Sequence, residues 1–414
     1  MAYLNGNRFL MNKFYILVSL LAFSFFNLSA QCDGRCEQEI FSQVTVTQGV
    51  PYGSAGGQTL FMDIYQPTGD TATNRPVVIM CFGGAFIGGE RTSGELVLIC
   101  EDLAKKGYVT ASIDYRLESP LNVIFEENMV KAVLRATQDG KAAVRFFRKE
   151  AANGNAYGID SSTIFIGGTS AGGILGMHVA YLNDSTLLSP NWLQWSNDIG
   201  GIEGNSGNPG YSSRVSGVVG FAAALGDSAW LKTANIPFMS VHAEDDGTVP
   251  YNIGFPLGLA TLPNLYGSNV LAHRADILGI HNPFYSYTGD NHPPFAGDNG
   301  LIPGVMDSTI DRMTRFLYRV LPCTPAVGIA DLTFEENEIS VYPNPVVNGM
   351  LNIQSFNSEA DHVRLYSIDG AQIDELGFSG SEQLDMSGLS AGWYIVEVSA
   401  SNTGQVLRKK IWKP

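Results

Sequence analysis

The stretch STIFIGGTSAGGILGMHVAYL, residues 162–182, decides the fold of this chain. Its first part is apolar and β-branched and predicts a buried strand, whereas AGGILGMHVAYL predicts a helix. Between them lies GTSAG (168–172), a G-x-S-x-G sequence. A sharp turn from strand to helix would hold Ser170 at strained backbone angles, with its hydroxyl above the carboxyl end of a sheet. Ser170 is therefore a candidate nucleophile; the alternative is a turn of small residues whose serine merely caps the helix.

Strands and helices alternate on both sides of this stretch, from residue 42 to residue 322. PVVIMCF (76–82) is a nearly continuous apolar run, as expected for a parallel strand covered on both faces. GELVLICEDLAKKG (94–107) predicts a helix that ends at Gly107. Further strands are predicted at 108–115, 215–223, 237–243 and 283–289, further helices at 128–152, 270–278 and 307–321, and an edge hairpin at 41–48 and 59–67. This order predicts an α/β protein with a doubly wound, mostly parallel sheet.

A serine hydroxyl needs a base, and the base needs a carboxylate that orients it. On this fold the chain order should be serine, acid, histidine. VHAEDDGTVPY (241–251) follows a late strand and offers two neighbouring aspartates. Asp246, directly before Gly-Thr-Val-Pro, is the predicted acid, and Asp245 is the alternative. His242 precedes the acid in the chain and is expected to be a packing residue at the strand end.

His292 is the predicted base. It lies in TGDNHPPF (288–295), a loop between the last predicted strand and the last predicted helix. His281 precedes that strand, and His273 falls inside a predicted helix, so neither is placed to act as the base. The alternative for His292 is a histidine in a loop that faces solvent.

An oxyanion requires at least two preorganised N–H donors. Ala171, which follows the serine, is one expected donor. The others, Gly84 and Ala85, lie in FGGAF (82–86), where consecutive glycines let backbone N–H groups turn toward a bound oxygen. The alternative is a plain glycine turn.

Composition and charge exclude one class of partner. Apolar residues make up 45% of the 414 residues and charged residues 16%, which suits globular domains. A net charge of −15 argues against a nucleic-acid partner, because binding phosphates requires lysine and arginine.

Residues 1–30 are predicted to be a secretory signal peptide, with Arg8 and Lys13 before a short apolar run and Ala30 at its end. A retained membrane anchor is the alternative. Removing two cations and no anion would make the mature net charge −17.

The five cysteines would then enter an oxidising compartment. The sequence leaves their pairing open: a bridge from Cys32 or Cys36 to Cys323 would join the two ends of the main domain, whereas Cys81 and Cys100 are expected in the core. CDGRC (32–36) has no nearby histidine and is weak support for a metal site.

Several segments together resemble α/β-hydrolase carboxylesterases, most closely the branch of feruloyl and acetylxylan esterases near the hormone-sensitive-lipase type. They occur in the family's order over roughly residues 45–321: FGGAFIGGE, GYVTASIDYRL, DGKAAVRFFRKEA, IFIGGTSAGG, HAEDDGTVPY and GDNHPP. The resemblance implies ester hydrolysis through an acyl-enzyme without a metal or organic cofactor. The matching positions are Ser170, Asp246 and His292 for the triad and Gly84, Ala85 and Ala171 for the oxyanion hole. One position departs from the family, because Phe82 stands where the oxyanion motif usually begins with histidine.

The pattern changes after residue 322. Residues 338–414 alternate apolar and polar residues between turns and predict a small all-β sandwich, with Trp393 and Tyr394 in its core and no cluster of exposed aromatic residues. VYPNPVVNGMLNI, VRLYSIDG, LSAGWYIVEV and GQVLRKKIWKP resemble the C-terminal sorting domain of type IX secretion. This predicts a catalytic domain at 31–322, a linker at 323–337 and a sorting domain at 338–414 that is recognised by outer-membrane machinery. A carbohydrate-binding or spacing module is the alternative for the last.

The expected activity is that of a secreted or cell-surface serine carboxylic-ester hydrolase acting on a small or polymer-linked ester. The alternatives are a serine peptidase or polyester hydrolase, a binding protein on an inactive hydrolase fold, and a surface protein whose tail is the functional part. Residues 194–213 are expected to form a covering loop, and Trp192, Trp195 and Tyr211 either line a pocket there or pack the cover. GDNH (289–292) and AGDNG (296–300) could bind calcium, but ordinary solvated loops are favoured.

Overall fold

The computed structural model describes residues 34–232, 236–321, 339–355, 360–368, 372–399 and 406–414. The predicted signal peptide, Cys32, Cys323 and the predicted linker lie outside the described residues. The chain divides into two compact units, Met1–Thr324 and Pro325–Pro414.

The first unit is built on an eight-stranded sheet in the order β1-β2-β4-β3-β5-β6-β8-β11. The pairs β1–β2 and β2–β4 are antiparallel, and the remaining neighbours are parallel. This confirms the predicted α/β class and the predicted hairpin at the sheet edge. The strands of the unit are β1 (Val44–Ala55), β2 (Gln58–Pro67), β3 (Arg75–Cys81), β4 (Val109–Ile113), β5 (Ile159–Thr169), β6 (Gly217–Phe221), β7 (Ala224–Leu225), β8 (Phe238–Ala243), β9 (Ile253–Gly254), β10 (Leu265–Gly267), β11 (Phe284–Tyr287), β12 (Ala296–Gly297) and β13 (Gly300–Leu301).

The order of the central strands determines where a site can form. From β3 the chain first crosses to β4 on one side and then returns to β5 on the other side. The loops after β3 and β5 therefore separate and leave a crevice at the carboxyl ends of these strands, where open α/β sheets bind their ligands. β3 is buried at every residue, as its apolar run predicts.

The described residues of the first unit form six α-helices. All the predicted helices are present, and the one after residue 182 was not predicted. Their bounds are α1 (Gly94–Lys105), α2 (Glu126–Ala152), α3 (Ala171–Tyr181), α4 (Pro190–Asp198), α5 (Ser268–Leu278) and α6 (Pro303–Val320).

Helix α4 corrects the prediction that a covering loop begins at residue 194. The Ser189 side chain accepts a hydrogen bond from the Trp192 N–H, and Pro190 occupies the first turn. Both are ordinary signals for the start of a helix. The sequence obscures this helix because it has only nine residues and is followed directly by a glycine-rich stretch, residues 200–210.

A second, three-stranded sheet, in the order β7-β10-β9, lies in the first unit, and β12 pairs with β13. These strands have only two or three residues each. A segment of that length cannot show the alternation that identifies a strand in a sequence, so none was predicted.

The second unit is a sandwich of two antiparallel sheets, as predicted. One has the order β14-β15-β18 and the other β17-β16-β19-β20. Apolar residues of both sheets, such as Leu351 and Val363, share one buried cluster. The strands are β14 (Ile339–Val347), β15 (Met350–Ser355), β16 (His362–Ser367), β17 (Gln372–Gly377), β18 (Ser381–Asp385), β19 (Gly392–Ser399) and β20 (Val406–Lys413).

One core prediction for this unit is wrong. Tyr394 is buried, but Trp393 is 44% exposed, because successive side chains of a strand point to opposite faces. On the outer face Trp393 lies opposite Trp412 of the next strand, with 5.1 Å between ring centroids. The expectation that no aromatic residues cluster on the surface of this unit is therefore also wrong.

Candidate active site

Ser170 lies at the junction of β5 and α3 with φ 54° and ψ −117°. This positive φ is uncommon for a residue with a side chain and marks local strain. Glycines flank it for a steric reason: a Cβ on Gly168 or Gly172 would stand 2.0 Å from the carbonyl oxygen of Cys81. The Ser170 side chain makes no capping hydrogen bond to the helix. The alternative that this serine merely caps α3 therefore does not hold.

The structure brings His292 and Asp246 to Ser170, although they are 122 and 76 residues away in the chain. His292 Nε2 lies 2.7 Å from Ser170 Oγ, and His292 Nδ1 lies 2.6 Å from Asp246 Oδ2. An ionised carboxylate can only accept, so in the neutral ring Nδ1 carries the proton and Nε2 accepts from the serine hydroxyl. The three side chains form a continuous hydrogen-bonded chain.

Asp246 is buried, and its carboxylate accepts several hydrogen bonds. Its Oδ1 accepts hydrogen bonds from the backbone N–H groups of Thr248 and Val249, at 2.8 and 3.0 Å. Burial alone opposes ionisation, but hydrogen bonds from His242 and His292 outweigh it and hold the pKa of the Asp246 carboxyl well below its usual range. The alternative acid, Asp245, is exposed.

His242 also contacts this carboxylate, which the sequence interpretation did not foresee. The residue is fully buried at the end of β8, and its Nε2 lies 3.2 Å from Asp246 Oδ2 and 3.1 Å from the Val249 carbonyl oxygen. Both neighbours are acceptors, so Nε2 carries a proton. Nδ1 lies 2.9 Å from Ser268 Oγ. His242 is thus a packing residue that in addition donates to the acid; the sequence carries no signal for this contact, because it depends on how the segment after β8 turns back.

The glycine-rich loop after β3 folds directly against Ser170. A Cβ on Gly83 would lie 3.3 Å from the Ser170 Cβ. Gly84, Ala85 and Phe86 all have positive φ, at 123°, 52° and 64°. Three such residues in succession turn the backbone sharply.

The three expected oxyanion donors lie around the serine. Ala85 and Ala171 line the same cavity as Ser170, and Gly84 directly precedes Ala85. Ala171 is the first residue of α3, so its N–H has no acceptor within the helix. The Gly84 carbonyl accepts from the N–H groups of Ile87 and Gly88, at 2.9 and 3.1 Å.

Phe82, which stands where the resembling families have a histidine, is held by packing. Its ring stacks on Tyr115 with centroids 4.2 Å apart, and the Tyr115 hydroxyl donates to the Phe82 carbonyl at 2.8 Å. The start of the loop is thus fixed by an aromatic stack and by the hydrogen bond from the Tyr115 hydroxyl to the Phe82 carbonyl.

An apolar cavity opens beside Ser170, with about 770 Å³ of empty space, part of which is open to solvent. Helices α2, α3 and α4 and the segments after β7 and β8 contribute to its wall. Trp192 lines it, whereas Trp195 and Tyr211 do not. The sequence had left open whether these three residues line a pocket or pack a cover.

Two further features of the described residues concern metals and membranes. Within them, no group of three or more His, Cys, Asp or Glu side chains could hold a metal ion, and this includes residues 289–300. None of the helices that the structure describes has the length and apolarity needed to cross a membrane.

Comparison with known proteins gives two family matches. Residues 62–223 match the BD-FAE family, and residues 340–413 match the secretion system C-terminal sorting domain. No curated protein matches the chain. Among solved structures, esterase 2 of Thermogutta terrifontis phosphorylated by paraoxon is similar, with 20% identity, a TM-score of 0.49 and coverage of 69% of this chain and 97% of that chain. The propionate-bound structure of the same esterase has 21% identity, a TM-score of 0.49 and the same coverage.

Proposed function

We propose that this chain, an α/β-hydrolase with a BD-FAE esterase domain and a secretion sorting domain, is an exported serine carboxylesterase. The reaction passes through an acyl-enzyme on Ser170. The observation that carries the proposal is the chain of short contacts from Ser170 Oγ through His292 to Asp246, at 2.7 and 2.6 Å.

Ser170, His292 and Asp246 each have one role in the reaction. His292 Nε2 takes the hydroxyl proton while Ser170 Oγ attacks the ester carbonyl carbon. Asp246 holds the ring in the required tautomer and stabilises the imidazolium. His292 then gives its proton to the leaving alcohol, and water repeats the attack on the acyl-enzyme with the same base.

The oxyanion of each tetrahedral intermediate is bound by the backbone N–H groups of Ala171, Gly84 and Ala85. The position of Ala171 at the start of α3 also places the positive end of the helix at the developing charge. Loss of one such donor costs about 3 kcal/mol in the barrier.

His242 acts on the reaction through Asp246 and is a positioning residue. Its Nε2–H and the two backbone N–H groups hold the carboxylate in a fixed orientation and keep it ionised. A carboxylate that cannot rotate keeps its lone pair aimed at His292 Nδ1.

The Ser170→Ala variant tests the proposal. On 4-nitrophenyl acetate we expect kcat to fall by a factor on the order of 10⁶, with an unchanged circular dichroism spectrum. The control is Ser54→Ala, at an exposed strand position far from residue 170 in the chain. Ser170→Ala protein that hydrolyses the ester as fast as wild type would refute the assignment.

The sorting domain indicates export to the cell surface or secretion. In our proposal residues 1–30 direct the first step of export, and the type IX machinery recognises residues 338–414 in the second. Mass spectrometry of the protein from culture medium and cell surface checks this, since a mature N-terminus at Gln31 is expected. Retention of the apolar stretch in the exported protein would contradict it.

A further inference from the structure

The apolar cavity extends from Ser170 along one face of helix α3. Ala171, Ile174 and His178 are spaced by three and four residues, so they lie on one side of the helix, and all three line the cavity. Trp230 also lines it and packs edge-on against His178, with ring centroids 5.2 Å apart. The cavity thus begins at the serine and reaches the His178–Trp230 pair.

The position of the cavity relative to His292 decides which part of an ester it takes. The leaving oxygen must face the base that protonates it, so the leaving group lies on the His292 side of Ser170. Ala85 and Ala171, two of the expected oxyanion donors, contribute to the cavity wall, whereas the ring of the base, His292, does not. Thr248 and Val249, which bond Asp246, line the cavity as well. A wall that holds these oxyanion donors but not the base favours the acyl group as the part of the ester that enters the cavity.

The spacing of the lining residues on helix α3 gives an approximate length for the part of the cavity along this helix. Ala171 and His178 are seven residues apart, which corresponds to roughly 10 Å along a helix. An extended chain covers about 1.2 Å per bond. An acyl group of about eight carbons therefore spans this distance.

The chemistry of the wall favours hydrocarbon over a hydroxylated ring. The wall is almost wholly apolar, and the N–H groups of its rings are already bonded within the protein. Trp192 Nε1 donates to Glu126 Oε1 at 3.0 Å, Trp230 Nε1 lies 3.4 Å from the Leu187 carbonyl, and His178 Nδ1 lies 2.8 Å from the Ile174 carbonyl. Burial lowers the pKa of His178 to about 4, so its ring is neutral at pH 7.

From this geometry we propose that the cavity binds a linear aliphatic acyl chain of about eight carbons and makes the protein a medium-chain esterase. The proposal rests on the proposed function, since it assigns the acyl group of the ester that Ser170 attacks. Ile174 lies one helical turn beyond the serine and is the residue that sets how far a chain can enter.

A series of 4-nitrophenyl esters from acetate to palmitate tests the chain length with the wild-type protein. Each added methylene buried in the cavity should raise kcat/KM about fourfold. We expect a rise up to octanoate, to at least about 100-fold above acetate, and a plateau or fall beyond decanoate. Equal values for acetate and octanoate, or a higher value for 4-hydroxycinnamate than for octanoate, would overturn the proposal.

A pair of esters that carry the eight-carbon chain either in the acyl group or in the alcohol tests the orientation of the substrate. Ethyl octanoate should be hydrolysed faster than octyl acetate in a pH-stat assay, because the acyl chain and not the alcohol enters the cavity. The reverse order would show that the cavity binds the alcohol.

The Ile174→Phe variant tests the role assigned to Ile174. An aromatic ring one turn beyond the serine should block the far half of the cavity and lower the octanoate-to-acetate ratio of kcat/KM at least tenfold. The control is Ile277→Phe, at a 67% exposed position of α5, which should leave this ratio unchanged. An unchanged ratio in Ile174→Phe would contradict the assignment.

The two proposals fail in different ways. If acetate hydrolysis persists in Ser170→Ala, the serine mechanism is wrong. If acetate hydrolysis requires Ser170 but kcat/KM does not depend on chain length, only the medium-chain proposal is wrong.

Discussion

The two sides of Ser170 differ in chemistry. On one side, Asp246, His292 and His242 form a network of hydrogen bonds around a buried carboxylate. On the other side, the cavity wall is almost wholly apolar. In our proposal the two sides have different functions: the polar side makes the hydroxyl reactive, and the apolar side selects the acyl group.

These functions predict different kinetic effects for the two sides. Changes on the polar side should lower kcat for every ester alike, since each substrate uses the same proton transfers. Changes on the apolar side should alter the ratio between long and short acyl groups. If a change on the polar side altered the ratio between acyl groups, or a change on the apolar side lowered kcat for every ester alike, the proposed difference between the two sides would be wrong.

The largest effect among the following predictions is expected for Asp246→Asn. The amide keeps the shape of the side chain but can leave His292 in the wrong tautomer, so kcat should fall by roughly 10⁴ for acetate and octanoate alike. The measurement is steady-state kinetics on both 4-nitrophenyl esters. Asp245→Asn, at the exposed neighbour, is the control and should retain wild-type kcat.

A smaller effect is expected for His242→Leu, which removes one hydrogen bond to the Asp246 carboxylate. We expect kcat to fall roughly tenfold for both esters with little change in KM, because a hydrogen bond to a charged group is worth about 1.5–3 kcal/mol and only part of it acts on the reaction. His242→Gln, which can still donate, should recover part of the loss.

An unchanged kcat in His242→Leu would show that this histidine only packs the strand end. A rise in KM at constant kcat would instead show that His242 affects substrate binding and not the proton transfers.

The smallest effect concerns stability and belongs to His178, a titratable group in the apolar wall. Its pKa is about 4 in the folded protein because of burial, against about 6.5 for an unperturbed histidine. The unfolded chain therefore binds more protons between these values, so the free energy of unfolding should rise with pH from 4 to 6.5 and fall on acidification through this range.

Urea unfolding at pH 8 and pH 5.5 measures this contribution. Wild type should lose about 1–1.5 kcal/mol more than His178→Leu over this interval. His273→Leu, at an exposed position of α5, is the matched control and should behave like wild type. An equal loss in wild type and His178→Leu would mean that His178 is not a neutral wall residue.

The sequence predicted the polar side much better than the apolar side. Ser170, Asp246 and His292 could be chosen because each follows a strand of recognisable pattern, and parallel strands present their carboxyl ends at one edge. His242 was taken only as a packing residue, because its contact with Asp246 depends on how the segment after β8 turns back.

The cavity could not be predicted for the same physical reason. Its wall combines α2, α3, α4 and the segment around Leu257, and only long-range packing decides that these face one another. In the sequence their apolar residues are indistinguishable from ordinary core residues. Trp393 illustrates a simpler error, since a shift by one residue along a strand reverses the face on which a side chain lies.

The most direct test of the central claim is covalent labelling with a fluorophosphonate followed by peptide mapping. If Ser170 is activated by His292 and Asp246, wild-type protein should carry one label, on Ser170, and His292→Ala should react far more slowly. A label on another residue with Ser170 unmodified, or equal labelling rates in wild type and His292→Ala, would contradict the account.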